Sequence, residues 1–252
     1  MIDNFKGIIL AGGKGTRLHP LTEVVSKQLL PVYDRPMIFY PIEVFVKAGI
    51  KDILIITNPE EKIIFERLIG NGSQYDCKID YDIQPKPEGI AQAFLIASDW
   101  LNGSPATLIL GDNIFLKGDI SNLLKNAIKE NIGSTVFAYQ VDNPNRYGVI
   151  EIDNEGSIKS LEEKPENPKS DWAVTGLYVY NNKVVELTKT LKPSKRNELE
   201  ITSLNNIYIK KDEMKVVFLP KDSFWLDAGT IDSLLDASNI VKKLKHTSGD
   251  IF

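Results

Sequence analysis

The sequence predicts an α/β fold in which a mixed, mostly parallel sheet is flanked by helices. Short apolar runs alternate with segments of helical spacing through the first half of the 252 residues, as in strand–helix–strand units. Polar or glycine-rich turns follow two of these runs, at Gly12 and at Gly111. Because such sheets bind ligands beyond the carboxyl ends of their strands, both turns are candidates for a binding site.

The individual elements follow from their apolar spacing. Strands are predicted at residues 7–10, 52–57, 79–83 and 106–110, and helices at 37–47, 59–69 and 90–101. The second half contains a predicted hairpin at 149–152 and 158–161 around a turn at 154–156, a strand at 172–180, and helices at 184–190, 201–209 and 231–244. Because no linker interrupts the sequence, we expect a single domain over residues 1–252.

Composition excludes several classes of protein. The chain is 42% hydrophobic and 25% charged with a formal net charge of −4, so no basic surface for DNA or RNA is expected. No apolar run approaches the roughly 18 residues of a membrane span, and the first residues do not resemble a signal peptide. Cys77 is the single cysteine, which excludes an intrachain disulfide and fits a reducing compartment. The expectation is a cytoplasmic protein without nucleic-acid or membrane partners.

The most informative stretch is the turn after the first predicted strand. Gly12, Gly13 and Gly15 lie close together there, and Lys14 and Arg17 add positive charge beside them. Glycines let backbone N–H groups approach a ligand without a Cβ in the way, and fixed cations attract an anion. The pattern indicates a polyphosphate site, and a tight turn without a ligand is the simpler alternative.

This turn matches neither of two common phosphate motifs. A Walker A loop needs lysine directly after its last glycine, whereas Gly7-x4-Gly12 is followed by Gly13. A dinucleotide fingerprint needs a third glycine where this chain has Leu18, which disfavours a dehydrogenase. We therefore expect the loop to bind phosphate by another geometry.

Two carboxylates could hold a divalent cation. Asp112 directly follows an apolar run within Leu-Gly-Asp-Asn, and Asp227 lies in the similar stretch Trp-Leu-Asp-Ala-Gly. Mg²⁺ prefers hard oxygen ligands of this kind. Asp112 could equally be a helix cap or a turn residue. Sequence alone does not show whether the two aspartates meet.

Other polar residues have both a functional and an ordinary interpretation. Lys27 and Lys164 are surface charges by default, but a phosphate site needs several cations. Gln84 follows a predicted strand and could contact a base edge or cap a turn. The segment Arg-Tyr-Gly at 146–148 is similarly ambiguous.

Eight motifs, taken in order, resemble those of the sugar nucleotidyltransferases from about residue 6 to residue 241. They are residues 10–20, 26–41, 110–115, 146–149, 161–165, 173–178, 198–202 and 225–230. The glycine signature is common to that family, whereas Lys-Gln-Leu-Leu-Pro-Val-Tyr-Asp at 27–34 resembles the glucose-1-phosphate thymidylyltransferase branch. The resemblance implies the Rossmann-like sheet of nucleotide-diphospho-sugar transferases. It also implies a nucleotide-binding part at about 1–115, and at about 116–252 a sugar-phosphate part with a small β-rich subregion.

The resemblance also implies a role for each matching residue. The nucleotide would be bound by Leu10, Gly12, Gly13, Gly15, Thr16, Arg17, Lys27, Gln28, Gln84, Pro85, Gly89 and Asp112. The sugar phosphate would be bound by Asn113, Tyr147, Gly148, Glu163, Lys164, Val174 and Arg196. Asp112 and Asp227 would bind Mg²⁺. The catalytic residues would be Arg17, Lys27, Asp112, Lys164 and Asp227.

The implied reaction is an attack by a phosphate oxygen of α-D-glucose 1-phosphate on the α-phosphorus of dTTP, giving dTDP-glucose and pyrophosphate. A phosphate monoester is already a nucleophile, so catalysis would consist of positioning and charge screening. One alternative is a transferase that uses UTP or another sugar phosphate. A second is a non-catalytic nucleotide-sugar sensor, which the presence of Arg17, Asp112, Lys164 and Asp227 disfavours.

Two departures from the family pattern affect these expectations. Lys14 stands where many members have serine, which adds charge to the loop. The chain resembles a short form, because longer members continue beyond the position of Phe252 with helices that help form a regulatory nucleotide site and subunit contacts. Product feedback is therefore left open, while a homo-oligomer, either a dimer or a tetramer, is still expected.

Overall fold

The computed structural model describes residues 2–13, 15–153, 155 and 158–248. Lys14 and most of the turn predicted at 154–156 lie outside these residues. The strands of the described residues are β1 Lys6–Ala11, β2 Pro31–Val32, β3 Arg35–Pro36, β4 Asp52–Thr57, β5 Lys78–Ile83, β6 Ala106–Leu110, β7 Ile114–Leu116, β8 Ser134–Gln140, β9 Gly148–Ile152, β10 Ile158–Glu163, β11 Trp172–Tyr180, β12 Met214–Phe218 and β13 Phe224–Leu226. The α-helices are α1 Phe39–Ala48, α2 Lys62–Ile69, α3 Gln92–Ile96, α4 Ser98–Leu101, α5 Ile120–Glu130, α6 Val184–Lys189, α7 Ile201–Lys210 and α8 Ile231–Ser248.

Nine of these strands form one mixed sheet. Its parallel half has the order β6–β1–β4–β5, in which Ile9 of β1 pairs with Ile55 and Ile109. β11 runs antiparallel to β6, β8 and β9, while β10 extends from β9 and β12 extends from β8. When these pairings are followed, seven of the nine described strands point in one direction and β10 and β11 oppose them. The mostly parallel sheet predicted from the sequence is therefore confirmed.

Both faces of the sheet are buried, which explains the continuous apolar runs of its central strands. In β4, Ile53 and Ile55 belong to a core with α1, α2 and α5, whereas Leu54 and Ile56 belong to a core with α3, α4, α6 and α7. Strands that are covered on both sides need apolar residues at successive positions. A third cluster packs α8 against β2 and β7.

Several bounds differ from the sequence prediction for local reasons. α2 begins at Lys62 rather than at residue 59, because the side chain of Asn58 accepts a hydrogen bond from the Glu61 N–H at 3.0 Å and holds a turn there. The helix predicted at 90–101 is divided into α3 and α4 at Ala97. Within the described residues, no helix is both long enough and apolar enough to cross a membrane.

Candidate active site

Three adjacent cavities form a groove beyond the carboxyl ends of the parallel strands. The first, of about 610 Å³, is lined by Asp112, Asp227 and Lys164 among others and is called the aspartate cavity. The second, of about 680 Å³, is lined by Gly12 and Gln84 and is called the glycine-loop cavity. A bridging cavity of about 230 Å³ shares Asp112 with the first and Gln84 with the second. The two turns singled out in the sequence therefore meet in one groove.

Most of the predicted site residues line this groove. The aspartate cavity contains Arg17, Asp112, Asn113, Tyr147, Gly148, Glu163, Lys164, Val174 and Asp227. The bridging cavity contains Leu10, Gly13, Gln28, Gln84, Gly89 and Asp112. The glycine-loop cavity contains Gly12, Gly13, Thr16, Gln84 and Pro85. Three predicted residues, Gly15, Lys27 and Arg196, are not among those that line the three cavities.

A short antiparallel ribbon brings the two aspartates together. β7 follows Asp112 almost directly, β13 immediately precedes Asp227, and the two strands pair with Ile114 opposite Leu226. Both carboxylates consequently line the aspartate cavity although they are far apart in sequence. The ribbon therefore brings Asp112 and Asp227 to one cavity, which the sequence alone did not show.

Lys27 lies behind the aspartate cavity and contacts both aspartates. The residue is buried, with 5% exposure. Its Nζ donates to Asp112 Oδ2 at 2.7 Å and to the backbone carbonyl of Asp227 at 2.8 Å. A Cβ built on Gly15 would lie 3.1 Å from the Cβ of Lys27, so the glycine turn packs directly on this lysine. Lys27 therefore joins the glycine turn to the two aspartates.

Asn113 fixes the orientation of Asp112. Its Oδ1 accepts hydrogen bonds from Trp225 Nε1 at 2.5 Å and from the Gly176 N–H at 3.2 Å. Because both partners are donors, the Nδ2 end must face the other way, where it donates to Asp112 Oδ1 at 2.9 Å. Asn113 is only 4% exposed, so this network is fixed by its surroundings.

The hairpin of β9 and β10 supplies the other wall of the aspartate cavity. Gly148 pairs with Glu163, and the Lys164 N–H donates to the Tyr147 carbonyl at 2.9 Å. Thr202 at the start of α7 donates to Glu163 Oε2 at 2.7 Å. The predicted sugar-phosphate residues of this hairpin thus lie side by side.

Arg196 lies outside the cavity wall and is surrounded by carboxylates. Its guanidinium is 2.8 Å from Glu200, 3.3 Å from Glu198 and 3.7 Å from Glu163. These carboxylates, with Glu200 first, raise the pKa of Arg196 above its usual value. The predicted contact of Arg196 with a phosphate stays a prediction, because the guanidinium faces Glu200.

Arg146 is a site residue that the sequence prediction did not include. It lines the aspartate cavity, and its Nη2 lies 3.6 Å from Asp227 Oδ2. The neighbouring Tyr147 hydroxyl donates to the same oxygen at 3.2 Å. Burial, and then the Asp227 carboxylate, raise the pKa of Tyr147, so the phenol keeps the proton that it donates. The signal for Arg146 was its position directly before two predicted residues, Tyr147 and Gly148.

Gly12 and Gln84 pack so closely that no side chain fits between them. A Cβ on Gly12 would lie 2.4 Å from Gln84 Oε1. Gln84 is 5% exposed, so its amide is held against the glycine turn. Glycine at position 12 therefore leaves room for the Gln84 side chain as well as for a ligand.

The predicted metal pair is chemically suited to a hard cation. Asp112 and Asp227 present carboxylate oxygens to one cavity, and Mg²⁺ is commonly held by one or two carboxylates together with substrate phosphates. Among the described residues, no three His, Cys, Asp or Glu side chains gather into a metal site. A cation here would therefore complete its coordination with water or with oxygens that the ligand brings.

Cys77 and the two histidines have ordinary surroundings. The Cys77 thiol lies 3.6 Å from the Gly72 carbonyl, and burial raises its pKa above the usual value, which disfavours a reactive thiolate. His246, on α8, lies near the ring of Tyr33. His19 lines the glycine-loop cavity without a second histidine or cysteine beside it among the described residues.

The chemistry of the groove suits two phosphorylated ligands placed end to end. Glycine backbone and Thr16 lie at one end, Arg146 and Lys164 lie at the other, and Asp112 lies at the junction of the cavities. Such an arrangement can neutralise two anions and bring them into contact.

Comparisons with known proteins agree with this geometry. Residues 6–243 match the family model described as nucleotidyl transferase. A glucose-1-phosphate thymidylyltransferase of Neisseria meningitidis is 52% identical over 241 residues, which cover 96% of this chain and 84% of that protein. The enzyme of the same name from Xanthomonas campestris is 49% identical over 244 residues, 97% of this chain and 83% of that protein.

Solved structures place the fold in the same group. A Bacillus anthracis chain described as a candidate glucose-1-phosphate thymidylyltransferase, in complex with a sucrose, superposes with a TM-score of 0.88 at 41% identity, covering 94% of this chain and 95% of that one. A UDP-glucose pyrophosphorylase in complex with UDP-glucose gives a TM-score of 0.82 at 27% identity, covering 96% and 99%. The chain therefore belongs to the nucleotidyl transferase family, and within it to the glucose-1-phosphate thymidylyltransferases.

Proposed function

We propose that this chain transfers a thymidylyl group from dTTP to α-D-glucose 1-phosphate and releases pyrophosphate, with dTDP-glucose as the other product. Its relatives at about half identity carry the name of this enzyme. The observation that carries the proposal is the position of Asp112, which lines both the bridging cavity and the aspartate cavity. One carboxylate thus lies where the two substrates would meet.

The geometry supports an in-line displacement at the α-phosphorus. The nucleotide would occupy the bridging and glycine-loop cavities, and glucose 1-phosphate the aspartate cavity. A phosphate oxygen of the sugar phosphate forms a bond to the α-phosphorus, the bond from that phosphorus to the bridging oxygen breaks, and its electrons leave with pyrophosphate. Arg17, Arg146 and Lys164 lie in the aspartate cavity, where they would screen the repulsion between the two anions.

We further propose Mg²⁺ as the cofactor, held by Asp112 and Asp227. When bound, it would neutralise phosphate charge at the reacting centre. Lys27 would also neutralise charge there, because its ammonium already lies between the two aspartates. The remaining parts of the proposal are a homo-oligomeric state and a cytoplasmic location.

The substrate assignment is tested by pyrophosphate release over a matrix of dTTP, UTP, CTP, ATP and GTP against several sugar 1-phosphates. We expect the highest kcat/KM for dTTP with glucose 1-phosphate. A preference for UTP would assign the chain to the alternative within the same reaction class. Absence of release with every pair would favour the non-catalytic sensor.

The role of Asp112 is tested with Asp112→Asn, which removes one charge at nearly constant shape. Turnover is expected to fall at least about a hundredfold because the junction loses its carboxylate, while the circular dichroism spectrum is unchanged. Asp142→Asn is the matched control, because Asp142 lines a separate cavity beside Trp172 and Lys221. Near-normal release by Asp112→Asn in Mg²⁺ would contradict the metal assignment.

A further inference from the structure

We propose that Gln92 and Glu88 orient the amide of Gln84, and thereby decide which hydrogen-bonding face of a nucleobase the groove accepts. The inference rests on the proposed function, in which the nucleotide occupies the two cavities that Gln84 lines, and on the expectation that Gln84 contacts a base edge. Gln84 lines both the bridging and the glycine-loop cavities and is 5% exposed, so its amide has few alternative partners.

Three side chains form a hydrogen-bonded relay beside the bridging cavity. Gln84 Nε2 donates to Gln92 Oε1 at 2.7 Å, and Gln92 Nε2 donates to Glu88 Oε2 at 2.8 Å. The Glu88 backbone N–H also donates to Gln92 Oε1, at 3.3 Å. Every link therefore treats Gln92 Oε1 as the acceptor and Gln92 Nε2 as the donor.

The direction of the relay follows from the carboxylate. An ionised carboxylate only accepts hydrogen bonds, so the end of Gln92 that faces Glu88 must be its NH₂ group. Gln92 Oε1 then faces Gln84, which must donate through Nε2. The Gly89 carbonyl, 3.5 Å from Gln84 Nε2, is a second acceptor on the same side. Turning the Gln84 amide over would leave these polar groups without partners.

The relay leaves Gln84 Oε1 directed at the glycine turn. This oxygen lies 2.4 Å from the position that a Cβ of Gly12 would take, and none of the hydrogen bonds that Gln84 makes within the described residues uses it. A fixed acceptor selects a base that offers a ring N–H. N3 of thymine and of uracil carries a hydrogen, whereas N3 of cytosine is itself an acceptor. The relay therefore selects against cytosine and does not separate dTTP from UTP.

The test measures kcat/KM for dTTP, UTP and CTP, each with glucose 1-phosphate, in the wild type and in two variants of one position. In Gln92→Glu the carboxyl oxygen that faces Gln84 still accepts, and a proton shared with Glu88 replaces the lost amide donor. Gln84 therefore keeps its direction, and the ratio of dTTP to CTP is retained. Gln92→Lys supplies a group that only donates, so Gln84 must turn its Oε1 away from the groove. We expect this variant to lower the ratio about ten- to a hundredfold.

Two further measurements separate the relay from general damage. The ratio of dTTP to UTP should stay constant in every variant, because both bases carry the N3 hydrogen. Glu88→Gln changes an exposed side chain, removes the group that fixes the relay, and should lower the dTTP to CTP ratio by a smaller factor. If the wild type prefers dTTP and all variants keep its ratio, or if the Glu and Lys variants lower it equally, the relay is overturned and the proposed function stands. A wild type that does not turn over dTTP overturns both.

Discussion

Lys27 is a buried residue whose ammonium lies beside Asp112, a predicted metal ligand. Its ammonium is 2.7 Å from Asp112 and 2.8 Å from the Asp227 carbonyl, and it is 5% exposed. A lysine is rarely buried unless it is paired, and these two partners satisfy it. Lys27 therefore provides one positive charge beside Asp112, where Mg²⁺ would add a second in the proposed reaction.

Lys27→Met should strengthen the binding of Mn²⁺ to the free protein by roughly tenfold. The substitution leaves the Asp112 carboxylate without its cation, so a divalent ion meets less repulsion. Free Mn²⁺ measured by electron paramagnetic resonance without nucleotide gives this affinity, independent of turnover. Lys164→Met is the matched control, because Lys164 lies 3.8 Å from Glu163. Equal Mn²⁺ affinities in the wild type and Lys27→Met would show that the Lys27 ammonium does not oppose a divalent ion at Asp112.

The segment 88–91 is hydrogen-bonded to the loop that precedes α7. The Leu199 N–H donates to the Glu88 carbonyl at 2.7 Å, and the Ala91 N–H donates to the Leu199 carbonyl at 3.2 Å. Gly89 lies within this pairing with φ +106°, and a Cβ there would lie 2.4 Å from the Leu199 carbonyl oxygen. Position 89 therefore requires glycine, because a Cβ there would collide with the backbone of Leu199.

Gly89→Ala should lower the free energy of unfolding by roughly 2–4 kcal/mol, because a positive φ and a backbone collision both oppose the new Cβ. Gly103→Ala is the matched control, since Gly103 has φ +77° but no atom within 4 Å of a built Cβ. It should cost about 1 kcal/mol. Urea denaturation measures both variants. Equal losses would show that the contact with Leu199 adds nothing to the strain of φ.

The sequence predicts those elements whose signal is local. The strands that end at Ala11 and Leu110 are continuous apolar runs, so the positions of Gly12 and Asp112 beyond the sheet could be anticipated. β7 and β13 have three residues each, which is too few for a periodicity to be recognised. The meeting of Asp112 with Asp227 could therefore not be anticipated from the sequence. α5 has a clear helical spacing of apolar residues at Ile120, Leu124 and Ile128, although it was not among the predicted helices.

Burial and pairing were the least predictable features of the site. Lys27 is a surface charge by default, and its partners lie 85 and 200 residues away in sequence. The polarity of the relay depends on a hydrogen bond between Gln84 and Gln92 across a loop, which no residue pattern encodes. The residue types of the site were therefore predictable, whereas their contacts required the fold.

Across the whole molecule, buried tyrosines link stability to alkaline pH. Burial raises the pKa of Tyr40 to about 12, and burial also raises the pKa values of Tyr178, Tyr180 and Tyr208. In each case the folded pKa lies above the unfolded value of 10.0. The stability that these phenols contribute is therefore complete below pH 10 and is lost as the pH rises through the folded pKa values.

We expect the free energy of unfolding to fall above about pH 10, by about 1.4 kcal/mol per pH unit for each tyrosine that ionises only when unfolded. Urea denaturation at a series of alkaline pH values, with tyrosinate absorbance, measures this slope. Tyr180→Phe should reduce the slope, because it removes one such phenol from the fully buried set. Tyrosines that titrate normally in the folded protein, without loss of stability, would rule this out.

The ion pairs in and beside the groove affect how its affinity for anions depends on the salt concentration. Arg146 and Lys164, which line the groove, and Lys27 and Arg196, which lie beside it, are each within 4 Å of a carboxylate. A bare basic surface attracts salt ions and releases them when a polyanion binds, so its affinity weakens steeply with salt. Here a triphosphate or sugar phosphate would compete with carboxylates of the protein itself. We expect few counterions to be released in that exchange, so the affinity of the groove should weaken less steeply with salt.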